Sequence, residues 1–404
     1  MDRTVKVQLH PTTEQAQALT ETVVQFTHAF NAVCLYGWKN QEKNGVRLHH
    51  ATYYETKASC PALVSDLLIQ ARVKATETLK SAFTWKSKHE ANYQKRVAKA
   101  KKQGKPLPVF KPVKCPQSEA CAPRYNVHTY TLNWTTQTVR LSTCSGKQSI
   151  PFTVPDYCAK YIGNPFATAD LISRKGRWYL HVVVSVPELV VPKDDTVIGV
   201  DLGLNRPAVT SNRHFLGRRY WKEVDRRTFR LRRKLQSKGT KSAKRHLKKL
   251  SLKQMRFRRD CDHVLSKRIV HSAPPGATIV LENLTNIREH VQHRKGEGQR
   301  KMHSWSFAQI YGFIQYKGQE RGMMVERVDP RHTSQMCSRC GHQARNNRRS
   351  QSLFLCRKCS YNLNADYNAS KNIRDKHLAY LASVGISFAG GQSSSCLSSQ
   401  PVTG

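Results

Sequence analysis

Two Cys-x-x-Cys pairs, Cys337-Ser-Arg-Cys340 and Cys356-Arg-Lys-Cys359, stand fifteen residues apart near the C-terminus. Four cysteines at that spacing fit a four-thiolate zinc ribbon, a closed and structural type of site. Asp366 follows seven residues after the last of them, in Asn364-Ala-Asp-Tyr-Asn368. The ribbon is therefore expected as an insertion within a larger domain that carries acids.

Two more acids end apolar runs. Asp201 closes Val197-Ile-Gly-Val, between Gly199 and Gly203, and Glu282 closes Thr278-Ile-Val-Leu. The glycines suggest a place where a metal can approach the backbone. Carboxylates from three separate elements can converge on two divalent ions, the arrangement that activates water and stabilises a leaving oxygen in phosphodiester hydrolysis. Magnesium suits such hard oxygen ligands, with manganese as the alternative. Asp329 also ends a strand-like run and is the next acid in rank. Glu223, Asp225, Asp260 and Asp262 lie in basic helical segments and read as surface pairs.

The charge balance supports a polyanionic partner. The 404 residues carry 68 Lys and Arg against 27 Asp and Glu, a formal charge of +41. Such a chain repels itself until nucleic acid neutralises it. No apolar run is long enough to span a bilayer, and the N-terminus has no apolar stretch of the signal-peptide kind. The expectation is an intracellular protein with no membrane and no small-molecule substrate. In a reducing compartment the other eight cysteines, which are scattered, read as free thiols. Trp134, Trp178, Tyr179, Trp221 and Trp305 can stack on bases, although Trp178 and Tyr179 lie in an apolar strand and read as core.

Residues 3–9 alternate as a strand. Thr12 and Gln15 then form a capping-box pattern that opens a helix. A second helix is expected over about 61–89, with Leu68, Ala71, Ala75, Leu79 and Phe83 on one face. Residues 86–105 are lysine-rich, either a solvated helix end or a nucleic-acid contact. From about 107 to 192 short β-type runs dominate, so residues 1–10 and 107–192 read as an antiparallel barrel carrying a helical insertion at 11–106. Residues 193–388 follow an α/β pattern, with the ribbon at 334–362, a mobile polar loop at 288–304 and a disordered tail at 389–404. The basic stretch 213–259 reads as long helices, and Arg226, Arg230, Arg233 and Lys234 within it are candidate nucleic-acid contacts.

These motifs, in this order, resemble the TnpB family, the insertion-sequence relatives of type V CRISPR effectors. Gly199-Val-Asp201-Leu-Gly203, Leu281-Glu282-Asn283-Leu284 and Asp366-Tyr-Asn368-Ala-Ser-Lys-Asn372-Ile resemble the three RuvC motifs. Val328-Asp-Pro330-Arg-His-Thr333-Ser334-Gln335-Met-Cys337 resembles the approach to the family's zinc ribbon. Leu9-His-Pro11-Thr12 and Pro108-Val-Phe110-Lys111 are similar to its N-terminal part. Ser360 departs from the pattern, which has glycine after the last cysteine.

The resemblance implies a multidomain α+β protein. Its nuclease domain would be RNase H-like (RuvC), with the zinc ribbon inserted, and its N-terminal β-barrel would be wedge-like. It implies an RNA-guided DNA endonuclease of a transposable element that cuts beside a short flanking motif, with base pairing choosing the target. Asp201, Glu282 and Asp366 would be catalytic and would bind two magnesium ions. Cys337, Cys340, Cys356 and Cys359 would bind structural zinc. The partners would be a guide RNA and double-stranded DNA in a prokaryotic cytoplasm, at the nucleoid. Gln70 and Lys74, on a helix that would lie near the flanking duplex, would be nucleic-acid contacts. A nuclease-dead RNA-guided repressor, a compact type V CRISPR effector and a DNA transposase are the alternatives.

Overall fold

The structure, a computed structural model, describes residues 1–285, 287 and 296–385. The tail at 389–404 and the first part of the 288–304 loop lie outside them. The chain forms two compact units, Met1–Pro187 and a second beginning at Glu188. Among the described residues no helix is long and apolar enough to cross a membrane.

The first unit is built on a seven-stranded antiparallel sheet. β1 (Asp2–Leu9) lies at its middle, and after the helices come β2 (Arg124–Tyr125), β3 (Tyr130–Asn133), β4 (Thr138–Thr143), β5 (Gly146–Thr153), β6 (Phe166–Arg174) and β7 (Arg177–Ser185). The order is β2-β6-β7-β1-β5-β4-β3. The first strand thus completes a sheet whose other strands lie more than a hundred residues on, with β1 paired to β7 and β5. Alternation decides the face: Val5, Val7 and Leu9 are buried beside Leu180, Val182 and Val184. The sheet is nearly closed, because the Tyr130 hydroxyl of end strand β3 donates to the Ala167 carbonyl of β6 at 3.1 Å.

Three helices stand between β1 and β2: α1 (Thr13–Lys39), α2 (Gly45–Ser59) and α3 (Ser65–Lys102). The Thr12–Gln15 capping box forms as expected. At Gly37 a Cβ would lie 2.5 Å from the Leu79 side chain and 2.8 Å from the Glu42 carbonyl oxygen, so a larger residue would strain the packing on α3 and the turn that ends α1. The helix expected over 61–89 runs instead to Lys102. Alanine, lysine and glutamine favour helix on their own, and nothing breaks the run until Gly104 and Pro106.

In the second unit a mixed sheet has the order β10-β9-β8-β11-β12, comprising β8 (Val197–Asp201), β9 (Ala208–Thr210), β10 (Phe215–Leu216), β11 (Thr278–Glu282) and β12 (Met324–Val328). β8, β11 and β12 run parallel, while β9 and β10 are antiparallel. A basic helical hairpin, α4 (Arg219–Lys238) and α5 (Lys241–His271), joins β10 to β11. It turns at Gly239 in the left-handed region (φ +66°), and Thr240 caps α5. The short α6 (Glu297–His303) occupies the end of the stretch read as a loop, and α7 (Phe307–Gln319) follows. After the cysteine segment, with β13 (Leu353–Leu355) paired to β14 (Asn362–Asn364), comes α8 (Ala365–Ser383).

The central strands are buried on both faces, as parallel strands usually are. Ile198, Val200, Ile279 and Leu281 pack with Ile269 of α5 and Ile310 and Ile314 of α7. Val197 and Val280 turn the other way, onto Ile373 of α8.

Candidate functional site

The sheet brings the first two acids together. Leu281 of β11 pairs with Val200 of β8 in parallel register, so Glu282 and Asp201 end neighbouring strands on the same edge. The third acid arrives on α8, which lies directly on β8. A Cβ at position 199 would sit 2.1 Å from the Ser370 carbonyl oxygen and 2.6 Å from the Arg374 amide nitrogen. Gly199 therefore serves helix packing rather than metal approach to the backbone, and this packing carries Asp366 to the strand ends. Asn364 caps α8, accepting from the Asp366 and Tyr367 amides at 3.1 Å each.

The electrostatics of Asp201 register both other acids. Burial, then the charges of Glu282 and Asp366, push Asp201 well above the usual carboxylate range, with Arg348 opposing. Burial also raises Glu282, against the Thr333 hydroxyl, Lys376 and Arg348. Thr333 donates to Glu282 Oε1 at 2.5 Å, and Arg348 Nη2 donates to Asp366 Oδ1 at 2.9 Å. Buried carboxyl oxygens whose charge is disfavoured first of all by burial suit hard divalent cations, which supply positive charge.

The four cysteines also converge. The sulfurs of Cys337, Cys340, Cys356 and Cys359 all lie within 4.8 Å of one another, with Cys337–Cys359 at 3.8 Å and Cys340–Cys356 at 3.5 Å. Zinc–sulfur bonds of about 2.3 Å in a tetrahedron need edges of roughly 3.8 Å, so the set fits zinc. The two knuckles repeat each other. The Cys337 amide donates to the His342 carbonyl and the Gly341 amide to the Cys337 carbonyl. The Cys356 amide donates to Tyr361 and the Ser360 amide to Cys356 in the same way. Gly341 has φ +73° and Ser360 has φ +53°. The serine thus occupies the left-handed position that glycine fills without strain in the first knuckle.

Several residues outside the sequence expectation tie ribbon to acids. Buried Asn347 donates to the Gln335 and His342 carbonyls and accepts from the Arg357 amide. On α8, Asn368 donates to the Met336 carbonyl and accepts from the Ser338 amide. One turn on, Asn372 donates to the carbonyls of Thr333 and Met336. The signal for the last two was present, since polar residues four apart on a helix share a face.

The remaining candidates are placed as follows. Arg226, Arg230, Arg233 and Lys234 lie exposed on α4. Lys222 and Arg226 line a cleft of about 630 Å³ together with Arg206, Lys301 and Trp305. Burial, then Lys301, Arg206 and Arg226, lower the Lys222 pKa, against Asp366. Cations thus crowd one another beside an acid of the site. On α3, Lys74 is engaged by Asp170 at 2.9 Å and donates to the Ala122 carbonyl, and Gln70 is half-buried. Asp329 is exposed and accepts from the Arg331 amide. Asp225 pairs with Arg258, but Asp262 is buried and bonded to Gln309, not a surface pair as expected.

Residues 307–373 match the Cas12f1-like TNB domain. The chain is 32% identical over 219 residues to the CRISPR-associated endodeoxyribonuclease Cas12f1 of Sulfoacidibacillus thermotolerans, covering 50% of each protein. It is 33% identical over 147 residues to a TnpB-like protein of Methanocaldococcus jannaschii, covering 36% of this chain and 52% of the other. The chain thus spans about half the length of these curated relatives. Cas12f1 in its complex with sgRNA and target DNA shares the fold, with a TM-score of 0.56 at 17% identity over 90% of this chain and 83% of that one. The matching stretches make the chain similar to Cas12f1 and to TnpB-like proteins.

Proposed function

We propose that this protein is an RNA-guided DNA endonuclease encoded by a transposable element, cutting beside a short flanking motif. What supports the reading is that Asp201 and Glu282 end neighbouring parallel strands while Asp366 stands in the first turn of the helix packed on β8. A mixed sheet with helices on both faces is what an RNase H-like, RuvC-type nuclease domain requires. The relative whose name includes endodeoxyribonuclease, and the likeness to a protein solved with guide RNA and target DNA, support the same activity and partners.

In this reading Asp201, Glu282 and Asp366 hold two magnesium ions, which when bound would activate water and stabilise the leaving oxygen. Thr333 fixes the Glu282 rotamer. Arg348 balances Asp366 until metal and phosphate take over that role. The cleft at Arg206, Lys222 and Arg226 draws the backbone of a DNA strand toward the acids, and the exposed cations of α4 add phosphate contacts. The cysteines hold structural zinc, which fixes the loop that presents Thr333 and Arg348.

The test is to express the chain with the DNA that flanks its gene, sequence the RNA that co-purifies, and assay cleavage of the matching target in magnesium. Asp201→Ala is expected to abolish cleavage while target binding stays within about twofold. Equal cleavage by the variant overturns the site. Tight guided binding with no cleavage by the native chain would favour the repressor reading, which retention of all three acids opposes. Guide segments derived from a repeat array would indicate a CRISPR effector.

A further inference from the structure

The far half of α3 is unlike the rest of the first unit. The helix has 38 residues, and its buried residues stop at Leu79. The 23 residues beyond extend for roughly 35 Å at 1.5 Å per residue. They carry Lys80, Lys86, Lys88, Lys95, Arg96, Lys99, Lys101 and Lys102 against Glu90 alone. Phe83 still stacks on Trp38 at 5.1 Å, but past it no residue of the helix is buried, so the core does not account for its length.

Charge alone would be met by any polyanion, but this segment also presents rings. Trp85, His89 and Tyr93 recur at four-residue spacing and so share one face. Phe110, from the chain returning after the helix, lies against the same stripe. The ring centroids are 5.4 Å apart for Trp85–His89, 5.6 Å for His89–Phe110 and 4.8 Å for Phe110–Tyr93. The two ends of the row are open to solvent, Trp85 being 59% exposed and Phe110 38%, with Leu107 and Val109 exposed beside them, while His89 and Tyr93 between them are half-buried. Exposed ring faces next to concentrated positive charge suit one partner chemistry well. Unpaired bases stack on rings while their phosphates meet lysines. A duplex offers the phosphates but keeps its base faces stacked away.

We infer that the outer half of α3, with Phe110, is a platform for unpaired bases of a single-stranded nucleic acid. Such a platform needs no acid site and would serve a chain that cuts nothing.

The test uses the full chain, freed of co-purifying nucleic acid, and short oligonucleotides carrying 5-iodouracil, which photocrosslinks to aromatic rings it stacks on. RNA and DNA strands are run as separate arms, each with its duplex. The expected result is crosslinking at Trp85, Tyr93 or Phe110 by single strands and not by duplexes, and the stronger arm identifies the natural strand. Trp85→Ala is expected to remove its own crosslink and weaken single-strand binding about five- to a hundredfold, while Trp85→Phe retains most of it. Because Trp85 is largely exposed, the circular dichroism of the variant should be unchanged. Crosslinks confined to other segments overturn the inference. So does equal loss of duplex affinity in Trp85→Ala, which would mean charge without stacking. Displacement by poly-glutamate at concentrations as low as those of the oligonucleotide also overturns it, since the surface would then suit an acidic polypeptide.

Discussion

Gly199→Ala tests the placement of the third acid with the smallest possible change. The added methyl would lie 2.1 Å from the Ser370 carbonyl oxygen, 2.6 Å from the Arg374 amide nitrogen and 3.0 Å from the Arg374 Cβ. Two of these are backbone atoms of α8, so no rotamer change relieves the contact. Ordinary contact would require α8 to lift off β8 by more than about 1 Å, a displacement that from a reacting centre costs on the order of a hundredfold in rate. Asp366 sits one turn before Ser370 and moves with the helix. Overpacking of a core costs about 1–3 kcal/mol, and contact with backbone puts this site at the upper end. Urea denaturation should show a lower midpoint with an unchanged slope, and cleavage should fall at least about tenfold. Gly312→Ala is the control. Gly312 lies in α7 with open space around it, so alanine there should stabilise by roughly 0.5–1 kcal/mol. Native stability and cleavage in Gly199→Ala would refute the seating of α8 on β8. A loss of stability with full activity would show that α8 reseats without moving Asp366.

Two further tests address the acids themselves. Thr333→Val leaves Glu282 without the donor seen at 2.5 Å. A hydrogen bond to a charged group is worth about 1.5–3 kcal/mol, so manganese affinity measured by calorimetry should fall at least tenfold, and Thr333→Ser should restore it; equal affinity in all three proteins would deny Thr333 this role. Asp201 has a folded pKa raised by burial and by its neighbouring acids, so the folded state without metal binds a proton that the unfolded state releases. That stability is present below the unfolded carboxylate value, near 3.9, and is lost as pH rises toward the folded value. In chelator, the native chain should weaken across that window while Asp201→Asn stays flatter and is more stable at neutral pH; parallel pH profiles would contradict the crowding of the three acids.

What could be read in the sequence was what apolar patterning encodes. The strands that end at Asp201 and Glu282 were legible because both are uninterrupted apolar runs closed by a charge. The helix α2 was not, because its buried face is Leu48, Thr52 and Thr56, and threonines leave no hydrophobic period. The end of α3 was misplaced because the apolar face stops at Phe83 while intrinsic propensity continues the helix. Polar side chains whose partners are distant carbonyls, such as Asn347, left no local signature at all.

The spacing of the third motif does have a physical reason once α8 is placed. Asp366 lies in the first turn, and its charge contributes to raising the Asp201 pKa. Ala369, Ser370 and Ile373 are buried, and at Ser370 the helix meets the bare backbone of Gly199. Asn368 and Asn372, four apart, hold the chain that leads into the ribbon, and Asn372 holds Thr333, which in turn donates to Glu282. One helix therefore sets the distance between Asp366 and Glu282, acids on elements that are not paired with each other. A substitution at Asn372 should then disturb Glu282 without touching it, whereas one at the exposed Arg345, three residues from Arg348, should leave both acids as they are.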